Sequence, residues 1–183
     1  MPYRGRPAAF VCTALLVAAP AEAASSTPGV TLTLAPMKPD AAGHVPWVDV
    51  TVVAEGMHQA KGERMLRLPL VANTVVTSAK DITDLSIADQ VGPIAVQAQD
   101  IEEDGSNRTR VWLAPRPVDG TLTIRYRVPI DAAAPPLALP QYELRTERGG
   151  FSAAGNAFLI LPADDIARRA RVTWDFTRYG ASG

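Results

Sequence analysis

Thr121-Leu122-Thr123-Ile124-Arg125-Tyr126-Arg127-Val128 alternates polar and apolar residues without a break. A period of two sends Leu122, Ile124, Tyr126 and Val128 to one face and the threonines and arginines to the other, the pattern of a half-buried strand. Residues 108–113 (RTRVWL) read the same way. The two form the clearest pair of strands, separated by residues 114–120 (APRPVDG). Upstream, residues 30–34 (VTLTL) and 47–53 (WVDVTVV) alternate, and 65–69 (MLRLP) is a shorter strand closed by proline. Residues 82–87 and 94–99 flank Gln90-Val91-Gly92-Pro93, a turn signal. Downstream, residues 157–161 (AFLIL) and 171–176 (RVTWDF) complete the set. Eight or nine short strands with turn residues between them predict an all-β chain, an antiparallel β-sandwich. At most one short helical turn is expected, over residues 163–170, where Asp164 and Asp165 open and Arg168 and Arg169 close the segment in the order that suits a helix dipole.

Composition agrees. The 183 residues are 47% hydrophobic and 20% charged, and a mean hydropathy of +0.03 is too polar for a multi-span membrane protein. The formal net charge of -1 argues against a nucleic-acid binder or a polybasic membrane docker. The 16 prolines are spread along the chain, which disfavours long helices. One domain is expected at this length.

Arg4 and Arg6 precede an apolar run at residues 8–19 (AAFVCTALLVAA), which is too short to span a bilayer. Pro20 ends the run, and Ala21-Glu22-Ala23 fits a small-x-small cleavage site. Residues 1–23 therefore read as a signal peptide, rather than an uncleaved anchor, and residues 24–183 as the β-sandwich domain. The expected location is periplasmic or secreted, with no membrane span after signal removal. Cleavage would also remove Cys12, the single cysteine, so disulfides, thiolate metal sites and thiol catalysis are not expected in the exported domain.

Chemistry-bearing motifs are sparse. Neither His44 nor His58 begins H-E-x-x-H, and two lone histidines do not make a zinc site. Asp100-Ile101-Glu102-Glu103-Asp104-Gly105 resembles the opening of a calcium loop, but the twelfth position is Val111, so a solvated acidic hairpin loop is expected instead. Gly150-Phe151-Ser152-Ala153-Ala154-Gly155 approaches a nucleophile elbow with its last glycine one residue late, so glycines that let a loop bend tightly before residues 157–161 are expected rather than a Ser152 nucleophile served by His44 or His58. Asn107-Arg108-Thr109 fits the N-glycosylation pattern. Trp47, Trp112 and Trp174 each lie in a strand pattern, where core or sheet-face packing is the default; an exposed cluster would suggest carbohydrate or peptide binding. No catalytic, metal or cofactor-binding residue is assigned.

The order of segments resembles a known family. Residues 121–128 are similar to a basic, aromatic alternating strand of exported zinc aminopeptidases of the glycyl aminopeptidase type. Residues 142–162 (YELRTERGGFSAAGNAFLILP) resemble that family's Gly-rich passage before an apolar strand, and residues 171–176 the strand that follows. The likeness is to the N-terminal all-β domain only. In the family a thermolysin-like domain with H-E-x-x-H follows, often with a PDZ domain, and no catalytic residue carries over to this chain. The resemblance implies an exported, non-catalytic β-sandwich with a binding or supporting role and a protein or peptide as partner. The alternative is a truncated or split metallopeptidase component that needs a separate catalytic chain. A contact loop is expected around Arg145, Glu147, Arg148, Gly149, Gly150, Ser152, Gly155 and Asn156, because a Gly-rich segment lets another backbone approach closely; the competing reading is a plain connecting loop.

Overall fold

The computed structural model describes residues 27–130, 144–147 and 149–180. The predicted signal peptide lies outside the described residues, as do Tyr142, Glu143 and Arg148.

The chain is all-β. Thirteen strands are described: β1 (Gly29–Pro36), β2 (Trp47–Gln59), β3 (Arg64–Ala72), β4 (Val75–Val76), β5 (Thr83–Asp89), β6 (Gly92–Pro93), β7 (Gln97–Glu102), β8 (Arg108–Leu113), β9 (Val118–Pro129), β10 (Leu144–Glu147), β11 (Gly150–Ala153), β12 (Leu161–Pro162) and β13 (Arg169–Trp174). One sheet runs β13-β1-β2-β9-β5-β6, and the other runs β12-β3-β8-β7 with β4 beside β3. Strands β10 and β11 form a separate hairpin.

The alternation read from the sequence does the sorting. Val30, Leu32 and Leu34 of β1, Val48, Val50 and Val52 of β2, and Leu122, Ile124 and Val128 of β9 all turn inward. Met65, Leu66, Leu68 and Leu70 of β3 and Trp112 of β8 join them from the second sheet in one hydrophobic cluster. Each fully buried aliphatic side chain contributes about 1.5–3 kcal/mol, so this shared cluster is what holds the two layers together. Long central strands follow from it: β2 and β9 stay in register from Trp47↔Pro129 to Ala54↔Leu122. A bulge then intervenes before Met57↔Gly120. Gly56 takes φ +64 there, and an added Cβ would meet the Pro28 side chain at 3.0 Å.

Several expectations change. The two strands thought to be the clearest pair do not pair: β8 lies between β3 and β7, whereas β9 lies between β2 and β5 in the other sheet. The linker between them carries Pro115 and Pro117 and crosses from one layer to the other. Residues 157–161 are not a strand. Gly155–Ala157 is a 3-10 turn, and only Leu161–Pro162 pairs, with β3. The buried, irregular backbone there is satisfied by Tyr126, whose hydroxyl donates to the Phe158 carbonyl (3.1 Å) and accepts from the Ile160 N–H (3.0 Å). Of residues 94–99 only those from Gln97 onward are strand, and the expected turn at residues 90–93 includes the two-residue β6. The helical turn over residues 163–170 does not form. Arg168 instead donates to both oxygens of Asp164 (2.5 and 2.8 Å) and to the Glu55 and Gly56 carbonyls at the β2 bulge (3.1 and 3.4 Å). The sandwich is also not wholly antiparallel, because β13 joins β1 in parallel.

Candidate functional site

Strand β13 ends the larger sheet, and every one of its residues is exposed. Its ladder to β1 shows which backbone groups have no partner among the described residues. The Arg169 N–H donates to the Pro28 carbonyl and the Asp175 N–H to the Leu34 carbonyl, both at 2.9 Å. By the period of two, Ala170, Val172 and Trp174 point their N–H and C=O groups to the open side.

The same strand carries apolar side chains that the core does not cover. Register places Val172 beside Leu32 and Trp174 beside Leu34, on the core-side face. Val172 and Trp174, with Phe176 just beyond the strand, nevertheless remain 52%, 48% and 54% exposed. Core or sheet-face burial therefore holds for Trp112 but not for Trp174. Trp174 stacks on Phe176 with ring centroids 6.0 Å apart and an interplanar angle of 7°. Phe151 tilts against Trp174 at 5.5 Å, and Tyr179 meets Phe176 edge-on at 5.7 Å. Phe151 and Tyr179 also pack against the core cluster. The result is an exposed aromatic strip anchored to the sandwich at both ends.

Several of the predicted contact residues belong to the hairpin that carries Phe151. Arg145 and Glu147 lie on β10, and Gly150 and Ser152 on β11, so the expected loop is a hairpin. It is pinned to the 43–45 segment: the Gly149 N–H donates to the Gly43 carbonyl (2.8 Å) and the Val45 N–H to the Thr146 hydroxyl (2.7 Å). Gly149 has φ +80, which L side chains rarely adopt. Gly155 and Asn156 belong to the 3-10 turn that follows. A Cβ at Gly155 would approach Leu159 Cδ1 at 2.8 Å, so this glycine serves local packing. What the hairpin brings to the strip is Phe151, which sequence reasoning had not singled out. Three aromatics within residues 174–179, in a chain that is 6% aromatic, were the available signal.

The other candidates disperse. Ser152 is exposed, and among the described residues no hydrogen bond joins it to either histidine. His44 faces Asp40 at 3.7 Å and His58 pairs with Asp119. Among the described residues no group of three or more histidine or carboxylate side chains is placed to hold a metal ion. The 103–107 segment is an acidic hairpin loop in which Asp104 accepts from the Ser106 hydroxyl (2.7 Å) and the Asn107 amide (2.9 Å). These bonds hold its carboxyl below the usual range. On the outer face of the larger sheet, a groove is lined by Thr33, Thr51, Arg125 and a salt-bridged cluster. There Asp49 accepts from Arg127 (2.7 Å) and Arg178 (2.8 Å), and Arg127 also lies 4.7 Å over the Trp47 ring. That cluster ties the segment after β13 to the centre of the sheet.

No protein-family model matches this sequence, and no curated protein matches it. Among solved structures, an aminopeptidase N family protein from Idiomarina loihiensis is similar with a TM-score of 0.46 at 14% identity, over 79% of this chain and 22% of that one. A mutant M1 zinc metallopeptidase from Deinococcus radiodurans, bound to a Tyr-Ser-Ala substrate, gives 0.39 at 18% identity, over 81% of this chain and 31% of that one. A further structure of an M1 zinc metallopeptidase from Deinococcus radiodurans gives 0.33 at 18% identity, over 80% of this chain and 30% of that one. The chain thus resembles one part of each and spans less than a third of their length.

Proposed function

We propose that this chain is an exported, non-catalytic β-sandwich domain that binds another polypeptide, and that it does so along the open edge of β13. One observation carries the reading: backbone groups at Ala170, Val172 and Trp174 that have no partner among the described residues coincide with exposed apolar side chains on the same strand. An extended segment laid beside β13 would complete the hydrogen-bond ladder and cover Val172 and Trp174 together. Proteins ordinarily blunt such edges or keep apolar side chains off them, so an edge with both features favours recognition. The hairpin contributes by fixing Phe151 against Trp174. Export rests on the basic, apolar and small-residue pattern of residues 4–23. The non-catalytic assignment rests on a sequence without H-E-x-x-H or another complete catalytic set.

The test uses an array of unrelated nine-residue strand-forming peptides probed with the full chain and with Trp174→Ala. Loss of a central aromatic anchor should weaken retention about tenfold or more across the peptides that bind. Equal retention by a variant with an unchanged thermal melt would refute the assignment.

A further inference from the structure

We infer that the segment recognised by β13 alternates acidic and apolar residues. The inference rests on the edge-binding reading above and specifies the partner it takes.

The two faces of β13 differ in kind. Arg169 and Arg171 stand on the outer face, in register with Gly29 and Thr31. Both are exposed, and among the described residues neither is joined to a carboxylate. Glu55, on the neighbouring β2, is engaged by the Gly29 N–H at 2.8 Å. The core-side face carries Val172 and Trp174 instead. A strand added to this edge inherits the pleat, so its successive side chains fall alternately beside the arginines and beside the apolar pair. Acidic residues two apart would meet Arg169 and Arg171, the apolar residue between them would lie beside Ala170, and the apolar residues at alternate positions beyond the Arg171 partner would cover Val172 and Trp174. Lysine at the acidic positions would place like charges opposite each other.

The free edge of the second sheet makes the contrast. On β7, Asp100 and Glu102 are already neutralised by Arg110 (2.7 Å) and Arg108 (2.9 Å) of the neighbouring β8. The other exposed large apolar residues, Val76, Val91 and Ile166, lie apart on a two-residue strand, a turn and a connection. Strand β13 alone among these joins uncompensated charge of one sign to a contiguous apolar strip.

The experiment compares two labelled nine-residue peptides by fluorescence anisotropy with the full chain, one alternating glutamate with valine and one alternating lysine with valine. The glutamate peptide should bind about tenfold more tightly at low salt, with the advantage shrinking as salt is raised. The double variant Arg169→Glu and Arg171→Glu should reverse the order. Both sites are exposed, and a thermal melt verifies the variant's fold. Equal binding of the two peptides, with both abolished by Trp174→Ala, would overturn the acidic preference and leave the edge-binding reading standing. Failure of both peptides while array peptides bind would overturn the preference as well. Concentration-dependent self-association that protects residues 170–174 from hydrogen exchange would also overturn it, by making a second copy of the chain the occupant.

Discussion

Single residues decide how this domain responds to acid. Asp89 closes β5 with its side chain only 2% exposed, and Arg116 donates to both of its oxygens (2.5 and 2.8 Å). The Arg116 bonds, aided by the Val91 and Gly92 N–H groups, lower its pKa from 3.8 to about 2. Between those values the unfolded chain binds a proton that the folded chain does not. The stabilisation is therefore complete above the ordinary carboxylate range and is lost as pH falls through the window. Asp89→Asn should flatten the pH dependence of the urea midpoint between about pH 2 and 4, without abolishing it, because Asp100 and Asp164 are lowered by their own arginines. An unchanged slope would show that Asp89 does not couple to folding. Nothing local in the sequence announced this pair, since its members are far apart along the chain and meet only once β5 has docked on β9. Tyr126 was legible as an inward residue, but not as the hydroxyl that satisfies the backbone at Phe158 and Ile160. Burial pushes that phenol far above its ordinary range.

At the level of elements, the long alternating strands were legible and the joints were not. Strands β1, β2 and β9 bury every second residue, and a period of two is enough to find them. The passage after β12 misled, because its Asp-to-Arg order suits a helix dipole equally well. Tertiary partners won. Arg168 fills the gap opened by the β2 bulge, and Gln59 adds a bond to Asp164 at 3.2 Å. The Arg168 and Asp164 side chains are only 6% and 15% exposed, so Asp164→Ala would strand a buried guanidinium. The expected loss is about 3 kcal/mol of unfolding free energy, read by urea titration. A loss below about 1 kcal/mol, the scale of an exposed pair, would show that the clip is ornamental. The aromatic strip was half legible. Its glycine-rich hairpin is legible, but the exposure of Trp174 depends on which tertiary neighbours cover the edge strand, and no local pattern encodes that.

The whole molecule is two sheets closing on one core, so the sheets should not melt separately. Leu66→Ala in β3 should cost about 2–5 kcal/mol. It should also shift the transition of both layers by the same amount, followed at Trp112 in one sheet and Trp47 in the other through single-tryptophan variants. Two resolved transitions would mean that the layers are independent units. All-β class was readable from strand spacing alone. Layer assignment was not, because alternation says which face is buried and not which neighbour buries it. That is why β8 and β9 looked like partners and lie in different sheets.

Parallel pairing of β1 with β13 has a mechanical consequence. Tension applied between the start of β1 and the end of β13 pulls two side-by-side strands lengthwise in opposite directions. Their ladder, from Gly29↔Arg169 to Leu34↔Trp174, then bears load in shear, with its bonds strained together and not peeled one at a time. An edge strand that looks weakly held in solution becomes the joint that resists being stretched.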